Sequence, residues 1–250
     1  MMIKFEIKDS IGILTLNRPE KRNALHPELV KQMKVKLSEI ERDSNVKVLI
    51  ITGEGKAFCA GADLEYLNKL KDYSTLENEK DSADLSELFL LIYNLPKPVI
   101  AAVNGAAIAG GCGLASVCDF IVADELNASF GYSEVKIGFI PAIVSTFLIR
   151  RVGEGIAQQM LLSGDAINAK RSYEIGFANY LSSNVLQFSM ELASNLNKNS
   201  QNSMELTKGL IKNVASLSVN DAVDYSVTLN TISRTTKDFK EGLNNFLNKK

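Results

Sequence analysis

The stretch AAVNGAAIAGGCGLASVCDF, residues 101–120, decides the fold. Its residues are small or apolar, four of them are glycine, and no charged side chain occurs before Asp119. Glycine weakens regular structure and is favoured where a backbone must come close to another group. The first half reads as a buried strand, and GGCGLASVC, residues 110–118, reads as the start of a helix. We therefore predict a strand, a turn and a helix whose first N–H groups face either a ligand or a closely packed neighbour.

Known phosphate-binding motifs do not fit these glycines. A P-loop needs a Lys and a Ser or Thr after its last glycine, and a Rossmann fingerprint needs G-x-G-x-x-G near the first strand of the fold. The run has G-G-x-G in the middle of the chain, without the following Lys. A second glycine loop, KAFCAGADL at residues 56–64, also ends a buried strand and opens a helix. Two such loops can each supply one N–H to a single developing oxyanion.

Composition limits the class of protein. The chain has 250 residues, 46% of them apolar, which suits one large domain or one domain with an appended helical piece. A net charge of −1 argues against nucleic acid as the main partner. No signal-peptide pattern and no apolar run of membrane-spanning length is present, and the three cysteines form no CxxC pair. We therefore expect a cytoplasmic protein with reduced thiols and no membrane partner.

The rest of the chain alternates strands and helices. Residues 3–17 predict a β-hairpin, residues 27–43 an amphipathic helix, and residues 46–53 a buried strand. His26, the only histidine, precedes Pro27 and is predicted to begin that helix rather than to hold a metal or serve a catalytic triad. From about Asn184 the pattern is helical to the end. The order predicts an α/β core over residues 1–195 and a helical region over residues 196–250.

Four segments together resemble the enoyl-CoA hydratase/isomerase (crotonase) family. They are KAFCAGADL, KPVIAAVNGAAIAGGCGLASVCDF, ASFGYSEVKIGFIPA and LLSGDAINAKRSYEIGFAN, and they occur in the family's order over almost the whole chain. The resemblance implies a spiral of ββα units with a C-terminal helical trimerisation region. It also implies an acyl-CoA thioester as substrate, no cofactor apart from the coenzyme A of that substrate, no metal, and a homotrimer or homohexamer.

The resemblance assigns residues to the site. The backbone N–H groups of Ala62 and Gly110 match the oxyanion hole, and RNAL, Arg22–Leu25, matches a segment that holds coenzyme A. Asp63 is expected to begin a helix rather than to catalyse. The substrate-binding positions implied are Arg22, Asn23, Ala24, Leu25, Ala60, Asp63, Leu64, Tyr66, Leu67, Gly111, Gly113, Tyr132, Ile140 and Pro141. The terminal Lys240, Lys249 and Lys250 either approach the coenzyme A phosphates or form an ordinary solvated basic end.

The carboxylates decide the predicted chemistry. Hydratases of this family typically carry two glutamates; the second matches Glu134, but Gly113 stands at the position of the first. A desolvated glutamate beside an enolate has a raised pKa and can exchange a proton near neutral pH. One glutamate can hydrate a 2-enoyl thioester or shift its double bond, and a non-catalytic acyl-CoA-binding protein is a further alternative. SEVKIGFIPAIVSTF, residues 133–147, resembles the single-glutamate methylglutaconyl-CoA hydratase-like branch and predicts a bulky pocket wall, which favours hydration.

Overall fold

The computed structural model describes residues 1–248, in which ten strands form two sheets. The strands are β1 (Ile3–Lys8), β2 (Ile11–Leu16), β3 (Val48–Gly53), β4 (Ala57–Cys59), β5 (Val99–Val103), β6 (Ala106–Ile108), β7 (Phe120–Asp124), β8 (Ser129–Gly131), β9 (Ile167–Asn168) and β10 (Tyr180–Ser182). The large sheet has the order β1-β2-β3-β5-β7-β10, and the small sheet has the order β4-β6-β8-β9.

Helices cover and connect these sheets. They are α1 (Pro27–Arg42), α2 (Leu64–Leu70), α3 (Thr75–Asn94), α4 (Gly110–Ser116), α5 (Ala142–Ser163), α6 (Ala169–Glu174), α7 (Val185–Leu196), α8 (Gln201–Val214), α9 (Val219–Thr235) and α10 (Lys237–Leu247), with 3-10 turns at Pro19–Lys21 and Glu134–Ile137. None of the helices within residues 1–248 is both long and apolar enough to cross a membrane.

The chain winds as a repeated strand–strand–helix unit. In three successive units the first strand (β3, β5, β7) joins the large sheet and the second (β4, β6, β8) joins the small one, and a helix then leads to the next unit. Each first strand is parallel to its predecessor, and so is each second strand. This winding confirms the predicted spiral of ββα units.

The sequence patterns that predicted individual elements are confirmed at residue level. In the β1–β2 hairpin, Asp9 and Ser10 form the turn with positive φ values of 49° and 62°. His26 caps α1, since its Nδ1 accepts a hydrogen bond from the Glu28 N–H at 3.2 Å. The apolar stripe of α1 is buried as expected from its helical spacing, at Leu29, Val30, Met33, Leu37 and Ile40.

The last four helices differ in how they are attached to the core. Helix α7 packs on the large sheet, where Val185 and Ala193 contact a cluster of buried strand residues. Helix α8 is attached to the core by Lys208, whose Nζ lies 2.6 Å from the Asp119 carboxylate. It is also attached by Lys212, which donates to the Tyr93 carbonyl. Helices α9 and α10 have no buried residue, so their apolar side chains remain largely exposed in the single chain.

Candidate active site

Three predicted site residues follow the ends of adjacent parallel strands in the small sheet. Ala62 comes three residues after β4, Gly110 two residues after β6, and Glu134 three residues after β8. Parallel neighbours end at the same edge of a sheet, where α/β proteins commonly bind their ligands. The fold thus carries the two backbone donors and the carboxylate to one edge, although they are far apart in the sequence.

The turn at Ala62 is held by the RNAL segment. The Leu25 N–H donates to the Gly61 carbonyl at 2.7 Å, and the Asp63 N–H donates to the Leu25 carbonyl at 2.9 Å. These two hydrogen bonds engage the Gly61 carbonyl before Ala62 and the Asp63 N–H after it. The Ala62 N–H itself has no hydrogen-bond partner within residues 1–248 and remains available to a ligand oxygen.

The second donor lies at the start of α4. As the first residue of the helix, Gly110 has an N–H without an intrahelical partner, and no side chain caps it. Ala109 turns the chain there with φ 51° and ψ −124°, a conformation that costs roughly 1–3 kcal/mol and is common at functional sites. A Cβ on Gly111 would lie 2.0 Å from the Cys59 carbonyl oxygen, so only glycine allows α4 to approach β4 this closely.

Leu25 connects the two donor loops. Its backbone pairs with Ala62, and its Cδ1 lies 3.0 Å from where a Cβ of Gly110 would stand. The Ala60 N–H also donates to the Arg22 carbonyl at 3.0 Å. The three segments that the sequence assigned to coenzyme A and to the oxyanion therefore meet at one place.

A buried ion pair supports the Ala62 turn. Arg18 Nη2 lies 2.7 Å from Asp63 Oδ2, and Arg18 Nη1 donates to the Ala24 carbonyl at 2.6 Å. The other oxygen of Asp63 accepts from the N–H groups of Glu65 and Tyr66 and caps α2. Burial by itself would raise the pKa of Asp63, but the hydrogen bonds from Arg18 and the two N–H groups lower it. Asp63 thus begins helix α2, as the sequence predicts.

Glu134 begins the 3-10 turn after β8 and is only 8% exposed. Its Oε2 has no hydrogen-bond partner within residues 1–248. Burial raises the pKa of this carboxyl above its ordinary value. A desolvated carboxylate with one oxygen free of partners has the properties of a general base, since its pKa moves toward the operating pH.

At Gly113, a side chain of any length would collide with a methyl group of another residue. A Cβ at this position would lie 2.2 Å from Val144 Cγ1, and Val144 is buried at the start of α5. The place toward which a residue-113 side chain would point is therefore filled by a methyl group. Val144 belongs to the segment 142–147, which is predicted to form a bulky pocket wall, and its methyl group occupies the direction in which a carboxylate side chain at residue 113 would extend.

Other predicted substrate-binding residues have varied positions. The Asn23 side chain is fully buried and bonds to Arg18 N, Glu54 O and Ala57 O, so it holds the loop after β3 rather than facing a ligand. The remaining positions fall into three exposure classes. Ala24 and Leu25 are buried, and Ala60, Leu67 and Pro141 are half-buried. Arg22, Leu64 (81%) and Ile140 (66%) are exposed.

Aromatic residues brace the helix that follows Ala62. Tyr66 lies in α2, its hydroxyl donates to the Asp81 carboxylate of α3, and its ring centroid is 6.1 Å from that of His26. Burial, followed by the Asp81 contact, raises the pKa of Tyr66.

Tyr132 was predicted to line a pocket wall, but its ring is fully buried in the core. Lys240 is exposed on α10, and Lys249 and Lys250 lie outside the described residues.

The three cysteines are free and fully enclosed. Cys59, Cys112 and Cys118 are each buried, and burial raises the pKa of each thiol to about 12. A thiol is nucleophilic only as its thiolate. All three side chains belong to the main hydrophobic core, which agrees with the prediction that none is a nucleophile.

Two contributors to the site had no clear signal in the sequence. Arg18 stands before a proline in a polar stretch, and nothing there indicates that its guanidinium reaches Asp63. Val144 belongs to a segment predicted to be bulky, but its contact with Gly113 depends on how α5 packs against α4.

Within residues 1–248, two surface grooves lie between α1 and α3, away from the candidate site. Neither is lined by Ala62, Gly110 or Glu134.

Comparison with known proteins defines the class. The family model for enoyl-CoA hydratase/isomerase matches residues 6–250, and this chain belongs to that family of enzymes. It is 35% identical to crotonyl-CoA hydratase of Syntrophomonas wolfei, covering 99% of this chain and 95% of that protein. It is 34% identical to 2,3-dehydroadipyl-CoA hydratase of Escherichia coli, with 95% and 92% covered. The crystal structure of an enoyl-CoA hydratase from Shewanella pealeana matches with a TM-score of 0.96 at 27% identity, covering 100% and 94%.

Proposed function

We propose that this enzyme hydrates a 2-enoyl-CoA thioester with Glu134 as its single acid–base carboxylate. The observation that carries the proposal is the buried Glu134 carboxylate, whose Oε2 has no hydrogen-bond partner in the described residues, at the same sheet edge as the N–H groups of Ala62 and Gly110, which are likewise without a partner there. Two backbone donors aimed at the thioester oxygen stabilise the enolate that forms as the double bond reacts. The relatives named as hydratases support the same reaction class.

The proton movements balance with one carboxylate. Glu134 accepts a proton from water while the water oxygen bonds to the β carbon and the double-bond electrons move to the thioester oxygen. The enolate then collapses, and Glu134 returns the proton to the α carbon. The elements of one water are added, and Glu134 ends in its starting state, so no second acid is required by stoichiometry.

Double-bond isomerisation is the second candidate. The observation that favours it is the methyl group of Val144 at Gly113, because an apolar wall there removes one of the two carboxylates that usually position water. In this reaction Glu134 takes a proton from one carbon of a 3-enoyl thioester and returns it to another through the same enolate. The oxyanion hole stabilises the enolate in both reactions. Hydration and isomerisation must therefore be distinguished by their products.

We propose a branched or carboxylate-bearing acyl group as the substrate class. The support is the resemblance of residues 133–147 to the methylglutaconyl-CoA hydratase-like branch. The Escherichia coli relative, named for a dehydroadipyl substrate, also acts on an acyl group that carries a carboxylate. A straight-chain four-carbon 2-enoyl thioester is the matched competitor, and the ratio of kcat/KM for the two measures the preference.

The experiment offers purified protein a 2-enoyl, a 3-enoyl and a 3-methylglutaconyl thioester in water enriched in heavy oxygen. Hydration is expected to place the heavy oxygen on the β carbon of the product. A shifted double bond without heavy oxygen would establish isomerisation instead. Binding of the thioesters without any turnover would show a non-catalytic acyl-CoA-binding protein. Glu134→Gln serves as the control, because it keeps the side-chain shape and removes the base.

We also propose that the chain works as a homotrimer or homohexamer in the cytoplasm. The support is the exposed apolar surface of the last two helices, including Val223, Val227, Phe246 and Leu247, each more than half exposed. Several large apolar side chains exposed on two neighbouring helices are typical of an interface. Light scattering on the purified protein should give three or six times the 27.4 kDa chain mass. A monomer at micromolar concentration would contradict the proposal.

A further inference from the structure

A chain of hydrogen bonds leads from the Arg18 guanidinium to the peptide group that carries the Ala62 N–H. Arg18 Nη1 donates to the Ala24 carbonyl at 2.6 Å. That carbonyl belongs to the same peptide group as the Leu25 N–H, which donates to the Gly61 carbonyl at 2.7 Å. The Gly61 carbonyl belongs in turn to the peptide group of the Ala62 N–H. Two peptide groups in succession therefore connect the guanidinium to the proposed oxyanion donor.

The shape of a peptide group fixes the direction of the Ala62 N–H. None of the described peptide bonds is cis, and in a planar trans peptide the C=O and the N–H point in opposite directions. Because the Gly61 carbonyl accepts from the Leu25 N–H, the Ala62 N–H points away from Leu25. The next peptide group is held as well, since the Asp63 N–H donates to the Leu25 carbonyl at 2.9 Å. Leu25 thus holds both peptide groups that flank Ala62, and Arg18 holds the peptide group that contains the Leu25 N–H.

Arg18 is a fixed and charged end for this chain. It is buried, and its Nη2 lies 2.7 Å from Asp63 Oδ2, which leaves Nη1 to the Ala24 carbonyl. Its backbone N–H donates to Asn23 Oδ1 at 2.9 Å, and its carbonyl accepts from the Asn23 N–H at 2.9 Å. A hydrogen bond from a charged donor is shorter and stronger than a neutral one, and it polarises the bonds that follow it in a chain. The guanidinium therefore makes the N–H at the far end a better donor.

The RNAL segment is anchored at a second point that does not depend on the guanidinium. Arg22 and Asn23 have φ values of 50° and 57°, a left-handed conformation that is uncommon for residues other than glycine and persists only where the surroundings hold it. The Asn23 side chain donates to the carbonyls of Glu54 and Ala57 at 2.9 and 2.8 Å. Removing the Arg18 guanidinium should therefore disturb the hydrogen-bond chain more than the segment as a whole.

We propose that Arg18 is a positioning residue for catalysis: through the two peptide groups it aims the Ala62 N–H at the thioester oxygen and strengthens the hydrogen bond that this N–H gives. The inference rests on the proposed oxyanion role of Ala62, and it applies to hydration and isomerisation alike, since both form the enolate. A better donor matters most where negative charge develops on the oxygen. The loss of Arg18 should therefore lower kcat more than it weakens binding.

Arg18→Met tests the inference because it keeps an unbranched apolar side chain and removes the charge and the donors. The probe is a 2-enoyl-CoA thioester with an aryl group on the β carbon, whose absorption moves to longer wavelength when donors polarise its carbonyl. We expect this red shift to fall by about half or more and kcat for a 2-enoyl thioester to fall about tenfold or more, less than the loss of a whole donor. The Kd of free coenzyme A, which has no acyl oxygen, should change less than about threefold.

The matched control is Lys208→Met, which breaks another buried ion pair with the same replacement. Lys208 Nζ lies 2.6 Å from Asp119 Oδ2, and the pair joins α8 to the core. This variant should lose stability but keep the red shift and kcat within about twofold, with every variant assayed at a temperature where circular dichroism shows it folded. Arg18→Lys keeps a buried cation but lacks the planar fork that serves Asp63 and Ala24 together. We expect an intermediate red shift and a kcat about threefold below wild type, and this variant decides the matter if Arg18→Met does not fold.

Several results would overturn the inference. One is a red shift and kcat within about twofold of wild type in Arg18→Met, or wild-type values of both in Arg18→Lys. Another is an equal loss in Lys208→Met, because Arg18 would then act only through stability. A wild type without any red shift would refute the oxyanion role of Ala62 and this inference together. A wild type that gives the red shift but turns over no thioester would refute the proposed enzymatic function, and the red shifts of the variants would still decide the role of Arg18.

Discussion

The contact between Gly113 and Val144 predicts a specific pattern in a double-mutant cycle. Gly113→Ala adds a methyl carbon 2.2 Å from Val144 Cγ1, whereas carbon atoms pack at about 3.5–4.0 Å. Overpacking of this kind costs about 1–3 kcal/mol of unfolding free energy. Val144→Ala removes two buried methyl groups, at about 0.8 kcal/mol each plus a cavity, or about 2 kcal/mol.

The double variant should lose less unfolding free energy than the sum of the losses in the two single variants. Once Val144→Ala has removed the Cγ1 that opposes the new methyl, the remaining Cβ is 3.1 Å away, which a small shift relieves. We therefore expect a favourable coupling of about 1–3 kcal/mol, as for other contacting pairs. Because the chain contains no tryptophan, urea unfolding is best followed by circular dichroism, at one protein concentration for all variants.

Gly155→Ala is the matched control. It lies in α5 with no atom within 4 Å of the added Cβ, so it should be neutral or stabilising by up to about 1 kcal/mol. Two results would refute the Gly113–Val144 packing. One is additive losses of unfolding free energy in Gly113→Ala and Val144→Ala, and the other is a change for Gly113→Ala no different from that of the control. The proposed single-carboxylate chemistry would then lose its structural reason.

Other features of the site make further predictions. Because burial raises the pKa of Glu134, kcat/KM should rise with pH through a midpoint above about 4.3, the ordinary glutamate value; a midpoint at or below it would contradict the burial argument. Gly111→Ala places a Cβ 2.0 Å from a backbone oxygen and should lower kcat about 100-fold by displacing an oxyanion donor, whereas unchanged kcat in steady-state assays would argue against that donor. Arg18→Met leaves Asp63 buried and unpaired and should cost about 3–5 kcal/mol of unfolding free energy in urea titrations near neutral pH. Because the pKa of Asp63 is lowered in the folded protein, this cost should shrink as pH falls below about 4, the ordinary aspartate value, and through the lowered pKa; a deficit independent of pH over that range would contradict the ion pair. The three thiols, with pKa values raised to about 12, should react with a thiol reagent only after unfolding, and labelling of the native protein would show that they are not enclosed.

Much of the fold was predictable because local patterns and fold agree. The apolar spacing of α1, the His26 start and the glycine-marked turns each indicate the element that forms. The glycine run at 110–113 predicts the start of a helix, which α4 confirms, but its glycines have different structural roles. Gly110 offers an N–H, Gly111 permits close approach to β4, and Gly113 makes room for Val144.

The parts that could not be predicted depend on contacts between distant segments. The Arg18–Asp63 pair joins residues 45 positions apart, and no periodicity reports such a contact. Tyr132 is expected at a pocket wall, but its ring is buried completely, beside Cys112 and Ser116 of α4. Ile140 is expected at the same wall, and its 66% exposure in the single chain leaves that prediction untested.

The proton-transfer role of Glu134 is the central claim, and one comparison tests it most directly. Wild type and Glu134→Gln are each given a 2-enoyl thioester, and turnover is measured beside the dissociation constant for a saturated acyl-CoA. We expect turnover to fall by about 10²–10⁴-fold, the range typical of a general acid–base residue, with binding unchanged within threefold. Turnover of Glu134→Gln within tenfold of wild type would contradict the account.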